Sequence, residues 1–107
     1  MAGKKNWFIV DGYRPPLQEG GDQSYVGHEC IMILNTSKQD AHCTIDVYFS
    51  DKDPVLGLSY TAPAQRISAF YSNDTDVFKG VQLGEGVQYS LQISSDVDVI
   101  VQYGRMD

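Results

Sequence analysis

The chain has 107 residues, 42% of them hydrophobic and 21% charged, which is typical of one folded domain and predicts a single unit over residues 1–107. Its formal net charge is −6, so the average surface repels polyphosphate and we expect no nucleic-acid partner. The apolar runs are too short for a signal-peptide core or a membrane span, which predicts a cytoplasmic protein.

Alternation of apolar and polar residues with period two recurs along the chain, and no window keeps an apolar stripe at helical spacing for three turns. The pattern predicts an all-β fold, a two-sheet antiparallel sandwich of jelly-roll type with about eight short strands. In chain order the predicted strands are residues 7–10, 30–34, 41–50, 58–61, 66–71, 77–83, 87–94 and 97–101. Proline, Asn-Asp and glycine-rich turn signals separate them, among them Pro15-Pro16, Asn73-Asp74 and Gly84-Glu85-Gly86.

Two of these strands are apolar on both faces. Residues 30–34 read CIMIL, and residues 97–101 read VDVIV, where only Asp98 interrupts. A strand of this kind needs cover on both sides, either from a loop or from another subunit, because soluble monomers rarely expose large apolar patches. The pattern therefore predicts a homo-oligomer.

In contrast, the strands at 41–50 and 87–94 alternate cleanly, with apolar odd-numbered residues and mostly polar even-numbered ones. We expect their odd-numbered side chains to face the core.

The two cysteines, Cys30 and Cys43, lie on predicted strands joined by a polar turn at residues 35–40. If these strands pair as a hairpin, the sulfur atoms lie about three or four residues out of register, which exceeds the reach of a disulfide. We therefore predict two free thiols, as expected for a cytoplasmic protein.

The stretch Ser50-Asp51-Lys52-Asp53-Pro54 is charged and ends in proline. Asp51 can fold its carboxylate back onto the backbone, and Pro54 holds Asp53 extended, so a turn explains the segment. A calcium loop would need further oxygen ligands and a glycine at the bend, and neither follows. We predict no metal and no cofactor.

The pair His28-Glu29 invites comparison with zinc sites, but position 32 is Met, and neighbours on a strand point to opposite faces. No nucleophile elbow or phosphate-binding glycine loop is present. We therefore predict a non-enzymatic binding module. The alternatives are a carbohydrate-directed enzyme, with Glu29 or Asp51 as general base and His28 as acid, or an assembly scaffold.

Short signatures in fixed order give the chain a resemblance to the sensory rhodopsin transducer family. In chain order they are Trp7 with Asp11-Gly12-Tyr13 and Pro15-Pro16, His28-Glu29, Ile33-Leu34-Asn35, Asp40-Ala41-His42, Tyr48 to Pro54, Pro63-Ala64 with Arg66, Asn73-Asp74, and Val101 to Asp107. The resemblance implies a small β-sandwich that assembles as a homotetramer. It further implies a small polar, sugar-like ligand. The resembled family is named for members that couple to a membrane photoreceptor.

Two departures bear on that photoreceptor. The closing motif has Tyr103 where the resemblance leads us to expect histidine, and the chain stops at Asp107 where rhodopsin-linked members continue. If the longer tail engages the receptor, photoreceptor coupling is not expected here.

The resembled pattern also selects candidate ligand-binding residues, which together supply stacking faces, hydrogen-bonding groups and charges of both signs. They are Trp7, Tyr13, His28, Glu29, Lys52, Arg66 and Arg105. We predict that Arg66 and at least two of the others line one concave surface, within one subunit or across a subunit boundary. Such a surface suits a polar ligand that carries hydroxyl or carboxylate groups.

Overall fold

The computed structural model describes residues 3–13, 28–72, 74–79 and 87–106, and it confirms the all-β antiparallel fold. Its elements are β1 (Lys4–Tyr13), β2 (His28–Asn35), β3 (Ala41–Tyr48), β4 (Val55–Ala62), β5 (Arg66–Tyr71), the short helix α1 (Thr75–Phe78) and β6 (Gln88–Met106).

The last strand organises the molecule, because β6 is 19 residues long and takes part in two sheets. Its first half pairs with β1 and β3, so that Ile93 lies opposite both Trp7 and Ile45. Its second half pairs with β2, where Val101 lies opposite Ile33. β4 extends the first sheet from β3, and β5 extends the second from β2. Hereafter the first sheet is β4, β3, β1 and the first half of β6, and the second sheet is β5, β2 and the second half of β6.

The two sheets pack face to face around one core. Ile45 and Ile93 of the first sheet and Ile31 of the second are fully buried and belong to one hydrophobic cluster. At one side the rings of Tyr60 on β4 and Phe70 on β5 meet with centroids 4.8 Å apart. This is the sandwich that period-two alternation predicted, with odd-numbered side chains of β3 and β6 inward.

The described residues form six strands, fewer than the eight expected. The strands predicted at 87–94 and 97–101 are one strand, because residues 95–98 stay extended. Ser95 is buried, and its hydroxyl oxygen accepts the Val97 N–H at 3.3 Å, so a polar residue that resembles a turn signal is satisfied inside the strand.

The prediction of a strand at 77–83 is wrong for residues 77–79, which are the part of it that the structure describes. Asp74 caps a helix there, since its carboxylate accepts the N–H groups of Asp76 and Val77 at 2.9 and 3.4 Å. The N-terminal end of that segment is therefore α1. Residues 80–83 lie outside the described residues, as do the predicted turn residues Pro15-Pro16, Asn73 and Gly84-Glu85-Gly86.

The hairpin predicted between residues 30–34 and 41–50 is also wrong, since β2 and β3 each pair with β6 and not with each other. Asn35 directs the chain from one sheet to the other. Its buried amide donates to the carbonyl oxygens of Gln39 and Ala62 at 2.8 and 3.0 Å, and its side-chain oxygen accepts the Ser37 N–H at 3.0 Å. These bonds hold the connection across the end of the sandwich.

Both cysteines are free thiols, as predicted. Cys43 lies in the core of the first sheet, whereas Cys30 lies on the outer face of the second. Burial raises the pKa of each thiol. Within the described ranges, no helix has the length and hydropathy needed to cross a membrane.

Candidate functional site

The charged stretch at residues 50–54 forms an exposed loop between β3 and β4. The Lys52 ammonium lies 4.3 Å from the centroid of the Phe49 ring. Just beyond the loop, the Asp46 carboxylate accepts the N–H of Gly57, whose φ of +82° favours glycine. In the part of the chain that is described, no three His, Cys, Asp or Glu side chains are grouped to hold a metal ion.

A buried carboxylate lies elsewhere, on β2. Glu29 is 1% exposed, because it follows the same alternation that turns Ile31 and Ile33 into the core. In the β2–β6 register it lies opposite Arg105. A carboxylate removed from water is costly unless it is hydrogen-bonded, so its partners decide what it does.

Three donors converge on Glu29. The Tyr89 hydroxyl donates to Oε1 at 2.5 Å, the Tyr103 hydroxyl donates to Oε2, and the backbone N–H of Tyr13 donates to Oε2 at 3.1 Å. The donors come from β1 and from both halves of β6. The carboxylate therefore joins three strands, two of them neighbours of the same long strand.

The same contacts keep both tyrosines protonated. Burial and, next, the hydrogen bond to Glu29 raise the pKa of Tyr89 far above its ordinary value, although a hydrogen bond from Ser72 opposes this. For Tyr103 the same two causes raise the pKa to about 12, while Arg105 and the Tyr13 N–H act in the opposite direction. Both phenols remain donors at neutral pH.

An open groove of about 590 Å³ lies above this cluster, between β1 and the second half of β6. Its lining is formed by Trp7, Phe8, Ile9, Val10, Asp11, Val101, Tyr103 and Arg105. The Trp7 indole N–H is shared between the carbonyl oxygens of Lys4 and Val99, each at 3.0 Å, which fixes the ring in place.

Opposite charges meet at one end of the groove. Arg105 Nη2 lies 4.0 Å from Asp11 Oδ2, and the Arg105 guanidinium lies 5.5 Å from the centroid of the Tyr13 ring. Gln88 donates to the other Asp11 oxygen at 3.1 Å. Tyr103 forms the wall between this charged end and Glu29 beneath.

Four of the sequence-predicted site residues therefore share one region. Tyr13, Glu29 and Arg105 contact one another directly or through Tyr103, and Trp7 lines the groove that Arg105 closes.

The other three are placed differently. Arg66 is exposed and lies opposite Asn35, six residues along β2 from Glu29, or about 20 Å at strand spacing. One protomer therefore does not bring Arg66 to Glu29. Lys52 and the alternative base Asp51 are on the exposed loop, and the His28 side chain lies outside the described residues.

Sequence reasoning missed Asp11, Tyr89 and Tyr103 as members of the site. One signal was available: on a strand that carries Ile31 and Ile33, Glu29 shares their inward face and must find donors there. Tyr89 was expected to face inward, and its hydroxyl is such a donor.

A second feature is the outer face of the second sheet, here called the apolar face. It comprises Ile67, Ala69 and Tyr71 of β5, Cys30, Met32 and Leu34 of β2, and Ile100, Gln102 and Gly104 of β6. Ile67 is 68% exposed and Tyr71 52% exposed, and Gln102 is the only member with a polar amide or charged group.

Comparisons with known proteins agree with this architecture. The structure superimposes on the Anabaena sensory rhodopsin transducer with a TM-score of 0.84 and 34% sequence identity, covering 99% of this chain and 90% of that one. It also superimposes on Thermotoga maritima 1070 with a TM-score of 0.81 and 27% identity, covering 100% of this chain and 84% of that one. A comparison with curated proteins found no match. The family model described as Anabaena sensory rhodopsin transducer matches residues 2–107, and the chain belongs to that family.

Proposed function

We propose that the chain is a cytoplasmic, non-enzymatic module of the transducer type, which binds a small polar ligand in the groove and works as a homotetramer. The observation that carries the ligand part is the position of Tyr103. Its ring lines the groove, while its hydroxyl donates to buried Glu29. A ligand in the groove would touch a residue tied to β1 and β2, which gives binding a route to the rest of the fold.

The test of the ligand part compares two arginines. A panel of small polar metabolites, sugars included, is screened for thermal stabilisation; a ligand at a hundredfold excess over its Kd adds about 2.7 kcal/mol to the free energy of unfolding. Arg105→Gln should abolish the stabilisation, and Arg66→Gln, at the far end of β2, should leave it unchanged. The reverse result would place the site at Arg66, and stabilisation by no compound would reject ligand binding.

The homotetramer rests on the apolar face. The outer side of the first sheet mixes polar Thr44, Asp46 and Gln92 with the exposed rings of Phe8 and Tyr48, whereas the nine residues of the apolar face include a single amide and no charged group. A contiguous exposed patch of that composition is uncommon on soluble monomers and typical of contacts between subunits.

A matched pair of variants tests the assembly. Ile67→Glu puts a charge in the apolar face, and Thr44→Glu puts the same charge on the outer face of the first sheet. Light scattering should give about four times the 11.9 kDa protomer mass for the parent and for Thr44→Glu, and a lower mass for Ile67→Glu. A parent that runs as a monomer at micromolar concentration would contradict the proposal.

A membrane photoreceptor is a second partner to test, and its support is the name of the family. Co-expression with a sensory rhodopsin followed by affinity purification should recover both proteins if they couple. If purification recovers the rhodopsin without this chain, the photoreceptor is not a partner.

A further inference from the structure

The groove divides into a charged end and an apolar remainder, and this division bears on the class of ligand. We infer that the groove takes a zwitterionic α-amino acid with an apolar side chain, its ammonium on Asp11 and its carboxylate on Arg105. The inference rests on the proposed function and names the ligand class for the same site.

The charged end presents both signs close together. Asp11 Oδ2 and Arg105 Nη2 are 4.0 Å apart, at the outer limit of an ion pair, and the Asp11 side chain is 70% exposed. Such a pair is weak, because the contact is long and water solvates the Asp11 carboxylate, while the Arg105 side chain is 25% exposed. An α-amino acid carries its ammonium and carboxylate on one carbon, so it can bridge the two side chains and replace one long contact with two short charge-assisted ones.

The rest of the groove fits hydrocarbon. Ile9 and Val101 are apolar, and the only polar atom of Trp7 already donates to two carbonyl oxygens. The Tyr103 hydroxyl already donates to Glu29. These side chains offer a surface for an aliphatic or aromatic group, and few of the donors and acceptors that the hydroxyl groups of a sugar require.

Net charge favours the same ligand. The chain carries a formal charge of −6, so a simple anion approaching Arg105 meets a repulsive field. A zwitterion has no net charge, and its ammonium gains from the acidic side chain that a plain carboxylate ligand would have to avoid.

The experiment uses isothermal titration of the full chain with L-phenylalanine and three matched probes. L-phenylalaninamide lacks the carboxylate, N-acetyl-L-phenylalanine lacks the ammonium, and glucose represents the sugar class. L-phenylalanine should bind, and each capped form should bind about 10- to 100-fold more weakly, as expected for loss of one charged hydrogen-bonding partner.

Two variants then assign each charge to its residue. Asp11→Asn should remove the preference for L-phenylalanine over its N-acetyl form, and Arg105→Gln should remove the preference over the amide. Asp53→Asn and Arg66→Gln, which change the same residue types away from the groove, should leave both preferences intact.

Four results would overturn the inference: equal binding of the free and capped forms, binding of glucose in place of L-phenylalanine, preferences that survive both groove variants, or no binding by any of the four probes. Glucose binding that Arg105→Gln abolishes would leave the groove as a ligand site and reject only the amino acid. If none of the four probes binds, but compounds of the wider metabolite panel still stabilise the protein and Arg105→Gln abolishes that stabilisation, the groove also remains a ligand site and only the amino acid is rejected.

Discussion

The two halves of β6 belong to one strand but have different surroundings. The first half is hydrogen-bonded along both edges, to β1 and β3, and its inner residues Tyr89, Leu91 and Ile93 are buried. The second half pairs with β1 at Val99, opposite Lys4, and from Ile100 onward with β2 alone among the described residues. Its inner residues Val101 and Tyr103 line an open groove. Within the described residues, the strand is therefore paired along both edges in the first sheet and, from Ile100 onward, along one edge in the second.

The outer sides of the two halves differ in the same way. The first half places half-buried Ser90, Gln92 and Ser94 on its outer side, whereas the second contributes Ile100 and Gly104, with Gln102 between them, to the apolar face. Unpaired edges and apolar patches are features that proteins keep where something binds. We therefore assign the larger share of the stability to the first sheet, and the proposed ligand and subunit surfaces to the second half of β6.

Glu29 is bonded to residues of both halves of β6, so its removal should lower the free energy of unfolding more than any of the changes that follow. Glu29→Ala leaves the hydroxyl groups of Tyr89 and Tyr103 without their acceptor, and leaves the Tyr13 N–H with only the Tyr103 hydroxyl oxygen at 3.4 Å. Each buried donor without a partner costs about 1–3 kcal/mol, so urea denaturation should show a loss of about 3 kcal/mol or more in the free energy of unfolding.

Asp51→Ala, which removes a carboxylate from the exposed loop, is the control and should change stability by less than about 0.5 kcal/mol. If the two variants are equally stable, Glu29 does not join the halves.

The first sheet could be predicted closely from sequence, because alternation is a local signal on half-buried strands. The inward positions of Ile45, Val47 and Leu91 follow from it. In the second sheet, the bounds predicted for β5 also agree with the structure. The continuity of β6 could not be predicted, since Ser95 and Asp96, between the two predicted strands, look like strand breakers until the burial of Ser95 is known.

The site was harder to predict, because residue type does not report strand register. Arg66 and Arg105 are chemically alike, yet only Arg105 lies opposite Glu29 in the sheet. That pairing joins residues far apart in the chain, and no local pattern encodes it. From sequence, Tyr103 is notable only for standing where the resemblance predicts histidine, because its role depends on the contact of its hydroxyl with Glu29.

Alanine substitutions at two glycines compare how tightly the two halves of β6 are packed, and we expect an intermediate loss of stability from one of them. A Cβ added at Gly12, on β1, would lie 2.6 Å from Cε2 of the Tyr89 ring, whereas one added at Gly104, in the second half of β6, would meet only a methionine methyl at 3.7 Å. Gly12→Ala should therefore cost about 1–3 kcal/mol, and Gly104→Ala less than about 0.5 kcal/mol.

Thermal unfolding of the two glycine variants measures the difference, with near-ultraviolet circular dichroism to follow the tyrosine environment. Equal effects would mean that the first half of β6 is no more tightly packed than the second.

The smallest predicted effect is a decline of the free energy of unfolding with pH, which is absent at neutral pH and begins only in alkaline solution. The pKa of Tyr103 is raised to about 12, and that of Tyr89 is raised further, while an unfolded tyrosine titrates near pH 10. Above pH 10 the folded chain therefore binds more protons than the unfolded chain, so the free energy of unfolding must fall as pH rises. The contribution of Tyr103 is fully present below pH 10 and is lost as pH passes through 12.

Urea titrations between pH 9 and 12 should therefore show a steep decline for the parent and a shallower one for Tyr103→Phe, which has no proton to hold at that position. The slope is the test, since Tyr103→Phe also loses a hydrogen bond at every pH. Tyr48→Phe on the outer face, whose hydroxyl does not contact Glu29, should keep the parent's slope. Parallel curves for the parent and Tyr103→Phe would show that the phenol in the groove wall is not coupled to the buried carboxylate, and the link between the two halves would then rest on Tyr89 alone.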